Sequence, residues 1–484
     1  MASISSMNTI LAQQTQRARG SSKTAPIHTL PVELLAEIFM LTIRKSDSNE
    51  VVRVLKDSLH VRAAFRIAHV CRHWRQIANG TPQVWTGPMH LDFRRRSDPE
   101  KDEIYVNGLG AWLTRSEPLS LPISIGAPPD RIWNTELGSR LTRELLRIAS
   151  RCRSLRILHG APCSLIQGLG DRLDSLEELE LQSVVWDIPA FDLTTIISFT
   201  TAPRLQKLST SRSQIPMPWA QLTDITLTCN TSPDILLHIF SQCTNVVRAF
   251  VVTAGWPVKA DMLTLNRLQI FSVTWVENQV HYMRFLDCLS ITALDQLRLS
   301  FHLDGDMGWA AAIFTAFQLR SPNITKLKIE GEGDGDGDGD SFHISPDAFI
   351  AALRHAPSLT HLSINDCLLL DTLLQALRHT DDTKPLVPRL HSLAFADLAP
   401  TLSEDDLASM IASRWWTDAE LASRSKAPAV ARWRQIRLRD DSDCWSGFAP
   451  SPKFRDTMEE LRQTGLAVDL VESKSWWSED GAPW

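Results

Sequence analysis

Nowhere in the 484 residues do about eighteen apolar side chains run together, so the sequence offers no segment for a membrane-spanning helix. Residues 1–25 hold Ser, Thr, Gln and basic side chains but no continuous apolar core, which reads as a mobile tail and not as a signal peptide. Paired cysteines are missing as well. Cys71, Cys152, Cys163, Cys229, Cys243, Cys288, Cys367 and Cys444 are scattered without metal-finger spacing, and they read as reduced, mostly buried thiols. Charge of one sign is not in large excess: Lys plus Arg number 50 and Asp plus Glu 56, a net −6. That balance disfavours nucleic acid and anionic membranes as direct partners. The expected location is cytoplasmic, nuclear or both.

Catalytic signatures are absent too. There is no Gly-x-Ser-x-Gly elbow, phosphate-binding Gly-x-x-x-x-Gly-Lys loop, Gly-x-Gly-x-x-Gly fingerprint or His-Glu-x-x-His zinc helix. No cysteine has flanking residues that would mark a nucleophile. His69 and His73 have the four-residue spacing of metal ligands on a helix, but no Cys or carboxylate cluster stands beside them. No cofactor, metal or enzymatic activity is expected, and a repeat-containing hydrolase with a convergent site is the weakest alternative.

Two short amphipathic patterns stand near the N-terminus. In the first, Pro31 occupies a position where a missing N–H costs nothing, Glu33 and Glu37 lie near the positive helix end, and Leu34, Leu35, Ile38 and Phe39 are apolar. The second places Ile67, Cys71, Trp74 and Ala78 on one stripe, widened by Val70 and Ile77. Each is too short to be stable alone, so its apolar face must dock on something. Leu30-Pro31, Glu33-Leu34-Leu35-x-x-Ile38-Phe39, Val70-Cys71-x-x-Trp74-x-x-Ile77-Ala78 and the closing Pro82-x-x-Trp85-Thr86 closely resemble an F-box. That module docks onto the Skp adaptor of Skp–cullin–F-box ubiquitin ligases. Leu91-x-Phe93 and the segment from Trp112 to Leu121 resemble the continuation common in fungal members. About thirty residues separate Phe39 from Val70, more than in a compact F-box, and 44–60 read as an inserted loop or an extra helical turn. The resemblance implies that Leu30, Pro31, Leu34, Leu35, Ile38 and Phe39, with Val70, Cys71, Trp74 and Ile77, serve as core and adaptor contacts. Which of them belong to the core and which to the partner is left open.

Beyond this module a pattern recurs: an apolar residue, two others, a second apolar residue, one other, and a third. Leu176-Leu179-Leu181, Leu222-Ile225-Leu227, Leu268-Phe271-Val273, Leu294-Leu297-Leu299, Ile324-Leu327-Ile329, Leu359-Leu362-Ile364, Leu390-Leu393-Phe395 and Trp433-Ile436-Leu438 follow it, with weaker copies from Leu155, Leu205 and Val246. Helix signals fall between copies, as at Ser345-Pro346-Asp347, where Ser345 is a candidate cap and Pro346 a first-turn residue. One strand and one helix cannot enclose a core, whereas stacked neighbours share one. The pattern resembles a divergent leucine-rich repeat, with a generic α/β domain as the alternative. The expected architecture is α/β: an all-helical F-box module at 26–93, a connector at 94–117, a leucine-rich-repeat-like solenoid at 118–440 and a cap with a Trp-rich tail at 441–484.

If the second and third apolar positions of each copy point inward, the residues between and beside them form a polar face. Glu178, Glu180 and Gln182 make it acidic early, while Lys326, Lys328, His361, Arg437 and Arg439 make it basic late and are the candidate target-binding residues. Alternating Gly with Asp or Glu makes 331–340 a solvated loop. Asp336, Asp338, Asp340 and Asp347 fit calcium-loop positions, but Ser341 stands where such a loop needs Gly. The resemblance implies a substrate receptor that binds a Skp-type adaptor, through it a cullin, and with its repeats a target protein. A repeat scaffold outside any ligase is the alternative.

Overall fold

The computed structural model describes residues 27, 30–44, 53–92, 99–126, 135–159, 163–170, 172–182, 198–258, 261–276, 282–302, 309–332, 344–365, 370–380, 384–396, 402–425, 427–439 and 450–471. The N-terminal tail, all but the first two residues of the acidic Gly/Asp loop, and Trp445, Trp476, Trp477 and Trp484 lie outside them. The chain divides into two compact units. One runs through His90 and includes the segment that ends at Ile123; the other holds nearly all that follows.

The first unit is built from α1 (Val32–Arg44), α2 (Arg53–Val70), α3 (Arg72–Asn79), a 3-10 turn at Pro82–Trp85 and α4 (Pro99–Arg115). The carbonyl of Pro31 accepts from the Leu35 N–H at 3.1 Å, so the proline opens α1 without losing a bond. The stretch after residue 53 is a regular helix. The stripe expected to run unbroken from Ile67 to Ala78 is instead interrupted at Cys71, whose backbone is extended (φ −157°, ψ 172°) and whose sulfur caps α3 by accepting from the Trp74 N–H at 3.4 Å. His69 and His73 therefore stand on different helices, and their spacing loses its metal-ligand meaning.

The core of this unit gathers around Trp85, which is fully buried and donates its indole N–H to the Ala78 carbonyl at 2.7 Å. Trp112 packs edge-on against it, with ring centroids 5.0 Å apart, and the Arg115 guanidinium lies 4.7 Å above the Trp85 ring. The segment read from sequence as a connector thus supplies a helix whose indole sits in the first unit's core. His60 approaches the Val84 carbonyl at 3.3 Å, and a Cβ on Gly87 would stand 2.0 Å from its ring, so only glycine fits there.

The second unit is a ladder of parallel strands in chain order: β1 (Cys152–His159), β2 (Glu178–Leu181), β3 (Lys207–Thr210), β4 (Asp224–Thr231), β5 (Arg248–Thr253), β6 (Ile270–Val276), β7 (Gln296–His302), β8 (Lys326–Glu332), β9 (His361–Asn365), β10 (Ser392–Ala396), β11 (Gln435–Arg439) and β12 (Ala467–Val471). Every copy of the apolar pattern lands on one of these strands. Successive copies align, so that Leu327 pairs with Leu362, Leu362 with Leu393 and Leu393 with Ile436. The second and third pattern positions are buried, as Leu179, Leu181, Ile436 and Leu438 illustrate. One strand went unanticipated: β12 pairs with β11 beyond residue 440, where Leu466, Val468 and Leu470 alternate with other residues and Leu466 and Val468 are buried.

Helices α5 (Ala311–Arg320), α6 (Pro346–Arg354), α7 (Leu370–Leu377), α8 (Glu404–Ser413) and α9 (Pro452–Gln463) pack each on the next. Pro346 does open α6, but Ser345 makes no side-chain capping bond; its carbonyl accepts from Phe349. Arg414, with no exposed surface, donates to the Leu386 and Val387 carbonyls at 2.7 and 3.3 Å and lies 5.4 Å from the Trp433 ring. It holds a turn in which Val387 has a left-handed φ of 41°. No helix among the described residues is long and apolar enough to cross a membrane.

Candidate docking surfaces

The structure divides the apolar residues of α1 into two rows. Leu35, Phe39 and Ile43, four residues apart, are 0–1% exposed and face the unit's own core. Phe39 meets the Trp74 ring at 4.9 Å. Leu34, Ile38 and Leu41 follow the i, i+4, i+7 spacing of a second face, and they are 52%, 38% and 56% exposed. Pro31 and Val70 are exposed too, Leu30, Cys71 and Trp74 are half-buried, and Ile77 is buried. The residues read from sequence as one group therefore do two jobs. Leu35, Phe39, Trp74 and Ile77 hold the helices together, while Pro31, Leu34, Ile38 and Val70 present apolar surface outward. Leu41 belongs to the outward row and was missed, although its place seven residues after Leu34 was legible. A row of large aliphatic side chains on one helix face is costly to leave in water and marks a place where another surface belongs.

This is the stretch that a family model recognises, as F-box-like, over residues 27–89. Residues 27–89 are an F-box-like domain. No curated protein matches the chain. Among solved structures, the leucine-rich repeat-containing protein LegL7 from Legionella pneumophila is similar at 13% identity and a TM-score of 0.35, over 78% of this chain and 98% of that one. A TLR13–ssRNA13 complex is similar at 13% identity and a TM-score of 0.25, over 75% and 64%. The F-box-like domain is followed by the parallel ladder, whose recurring Leu-x-x-Leu-x-Leu strands give the second unit its leucine-rich-repeat-like character.

On the ladder, the polar residues alternate with the buried ones and share the opposite face of the sheet. Much of their charge is cancelled internally. Lys207 pairs with Glu178 at 2.6 Å, Arg156 with Glu180 at 3.2 Å and Arg248 with Asp224 at 3.3 Å. Glu330 receives Lys328 at 2.6 Å and also Arg298 and Ser300, and these cations and the Ser300 hydroxyl hold its carboxyl below the usual range against the opposing effect of burial. Lys328, a candidate from sequence, is thus already occupied. Arg437 is exposed, and with the Gln435 amide turned so that its oxygen faces the guanidinium, Nε and Nη2 donate to that oxygen at 2.8 and 3.0 Å. Arg439 is half-buried. Lys326 and Arg437 make no ion pair with any described residue.

His361 behaves unlike an exposed histidine. Burial, the neighbouring His391 and the positive charge of Lys326 push its pKa down to about 4, so the ring is neutral at pH 7. The two imidazole rings lie 4.9 Å apart, nearly perpendicular, and burial with Arg434 pushes His391 down as well. His391 and Arg434 were missed from sequence because each sits one residue ahead of its strand, outside the alternation used to choose candidates.

Chemistry that would need a reactive thiol finds no support in the buried cysteines. Burial pushes the thiols of Cys152 and Cys243 up to about 12, leaving both protonated.

Proposed function

We propose that the chain is a substrate receptor of a Skp–cullin–F-box ubiquitin ligase. The F-box-like domain docks on a Skp-type adaptor, and the ladder holds a target protein while other subunits transfer ubiquitin. The observation that carries this reading is the outward row of Leu34, Ile38 and Leu41 on a helix whose inward row is fully satisfied. An isolated helical unit has no use for that surface, whereas an adaptor groove supplies what it lacks. The protein acts as a binding subunit: its ladder offers polar strand faces, and its chemistry is recognition.

The reading is tested by co-expressing the full chain with a Skp-type adaptor and a cullin and isolating the chain. Recovery of both partners in stoichiometric amounts supports a ligase subunit. Recovery of the adaptor without the cullin supports the scaffold alternative, and recovery of neither overturns the docking assignment.

A further inference from the structure

Part of the ladder's unpaired positive charge stands where strands β8 to β11 begin. Just ahead of strands β8 to β11, backbone bonds step across the sheet: Thr325 N–H to the Asp295 carbonyl at 2.9 Å, Thr360 to Thr325 at 2.8 Å, His391 to Thr360 at 3.0 Å and Arg434 to His391 at 2.7 Å. This row brings His391 and Arg434 beside Lys326 and His361, which head β8 and β9 in register. Neither Lys326 nor Arg434 makes an ion pair with a described residue, in contrast to the paired cations earlier on the sheet. Asp295, a carboxylate that acts on His361, is engaged by the Thr325 hydroxyl and the Gln296 amide.

We infer that this edge is an anion-recognition site, at which Lys326, His361, His391 and Arg434 take a carboxylate- or phosphate-bearing segment of the target protein. The inference rests on the reading of the ladder as the target-binding part. Strands stand about 4.8 Å apart, so three intervals from β8 to β11 span about 14 Å, the length of about four extended residues. Lys326 and Arg434 supply fixed charge at the two ends, and Arg pairs bidentately with carboxylate or phosphate. Between them stand the two imidazoles, the His361 Nδ1 already meeting the Thr360 hydroxyl at 2.8 Å, and an arriving anion favours protonation of both rings. Arg437 lies outside the set, because Gln435 holds it and Asp469 is its register partner across the strand.

The test uses the full chain and three fluorescein-labelled peptides of equal length: oligo-Glu, a Gly/Ser peptide with one phosphoserine, and its unphosphorylated counterpart. Anisotropy should show saturable binding of at least one anionic peptide, at least tenfold tighter than the neutral one. Which of the two binds better identifies carboxylate or phosphate as the source. Lys326→Gln with Arg434→Gln should weaken that binding at least tenfold, while Arg354→Gln with Lys384→Gln, the same charge change at two other exposed positions, should leave it within twofold. Circular dichroism on each variant checks that the ladder is intact. No preference for the anionic peptides, or equal loss in both double variants, overturns the site. Adaptor binding by the same preparations separates the two readings: a parent that binds the anionic peptide but no adaptor overturns only the ligase assignment, and the reverse result overturns only this site.

Discussion

Replacing Leu34 and Ile38 with alanine isolates the outward row of α1. Leu34 is 52% and Ile38 38% exposed, so each still has a large part of its side chain left to bury against a partner. Full burial of a Leu or Ile side chain contributes about 1.5–3 kcal/mol, and the fraction still exposed here corresponds to about 1 kcal/mol each. The double variant should therefore bind a Skp-type adaptor about 2 kcal/mol more weakly, near a thirtyfold rise in Kd by calorimetry. Its thermal stability should hardly change, because neither side chain fills the core. Leu35→Ala, one residue away and fully buried, should do the opposite at the first unit, with a cost of about 2–5 kcal/mol in stability. An unchanged Kd for the double variant would refute the division of α1 into an inward and an outward row, as would a stability loss equal to that of Leu35→Ala.

Three further outcomes are expected. Trp85→Ala removes a fully buried ring and its bond to Ala78, and should cost about 3–5 kcal/mol; hydrogen exchange at the α2 and α3 amides should rise steeply, and unchanged protection would place the core elsewhere. Arg414→Met keeps the aliphatic stem but strands the Leu386 and Val387 carbonyls, for an expected loss of about 1–3 kcal/mol in urea unfolding; a midpoint equal to the parent's would show that these bonds contribute nothing. Because His361 titrates near 4 in the fold and near 6.5 when unfolded, the unfolded chain takes up the proton first as pH falls. Stability contributed at this position is complete above about pH 6.5 and is lost down to about pH 4. His361→Gln should flatten that part of the stability profile, and an NMR titration of the ring with a midpoint at 6.5 would contradict the burial argument.

Much of this architecture was legible in the residues. The Leu-x-x-Leu-x-Leu spacing, with Leu179 and Leu181 or Ile436 and Leu438 two apart, can bury its apolar set on one face only as a strand, so the ladder followed from periodicity. Pro31 and the heptad-like spacing of α1 similarly declared a helix start and an amphipathic helix. What local pattern could not decide is which partner each apolar residue meets. Leu34 and Leu35 are identical in chemistry and adjacent in sequence, yet one is half exposed and the other fully buried, because only the packing of α2 and α3 defines the inward side. The break at Cys71 was hidden for the same reason: the four-three-four apolar spacing continues through it, and an extended backbone capped by a sulfur leaves no periodic trace. On the ladder, alternation assigned Lys326, Lys328, His361, Arg437 and Arg439 to one face, but pairing across strands depends on register. Lys328 meets Glu330 and Arg437 meets Gln435 two residues along the same strand, whereas register brings Arg298 to Glu330 and sets His391 and Arg434 beside Lys326 and His361 from positions dozens of residues apart. Periodicity is a property of neighbours along the chain, so sequence determined the elements and their faces; cancellation of charge and division of apolar surface are properties of neighbours in space, so they were decided only when the elements packed.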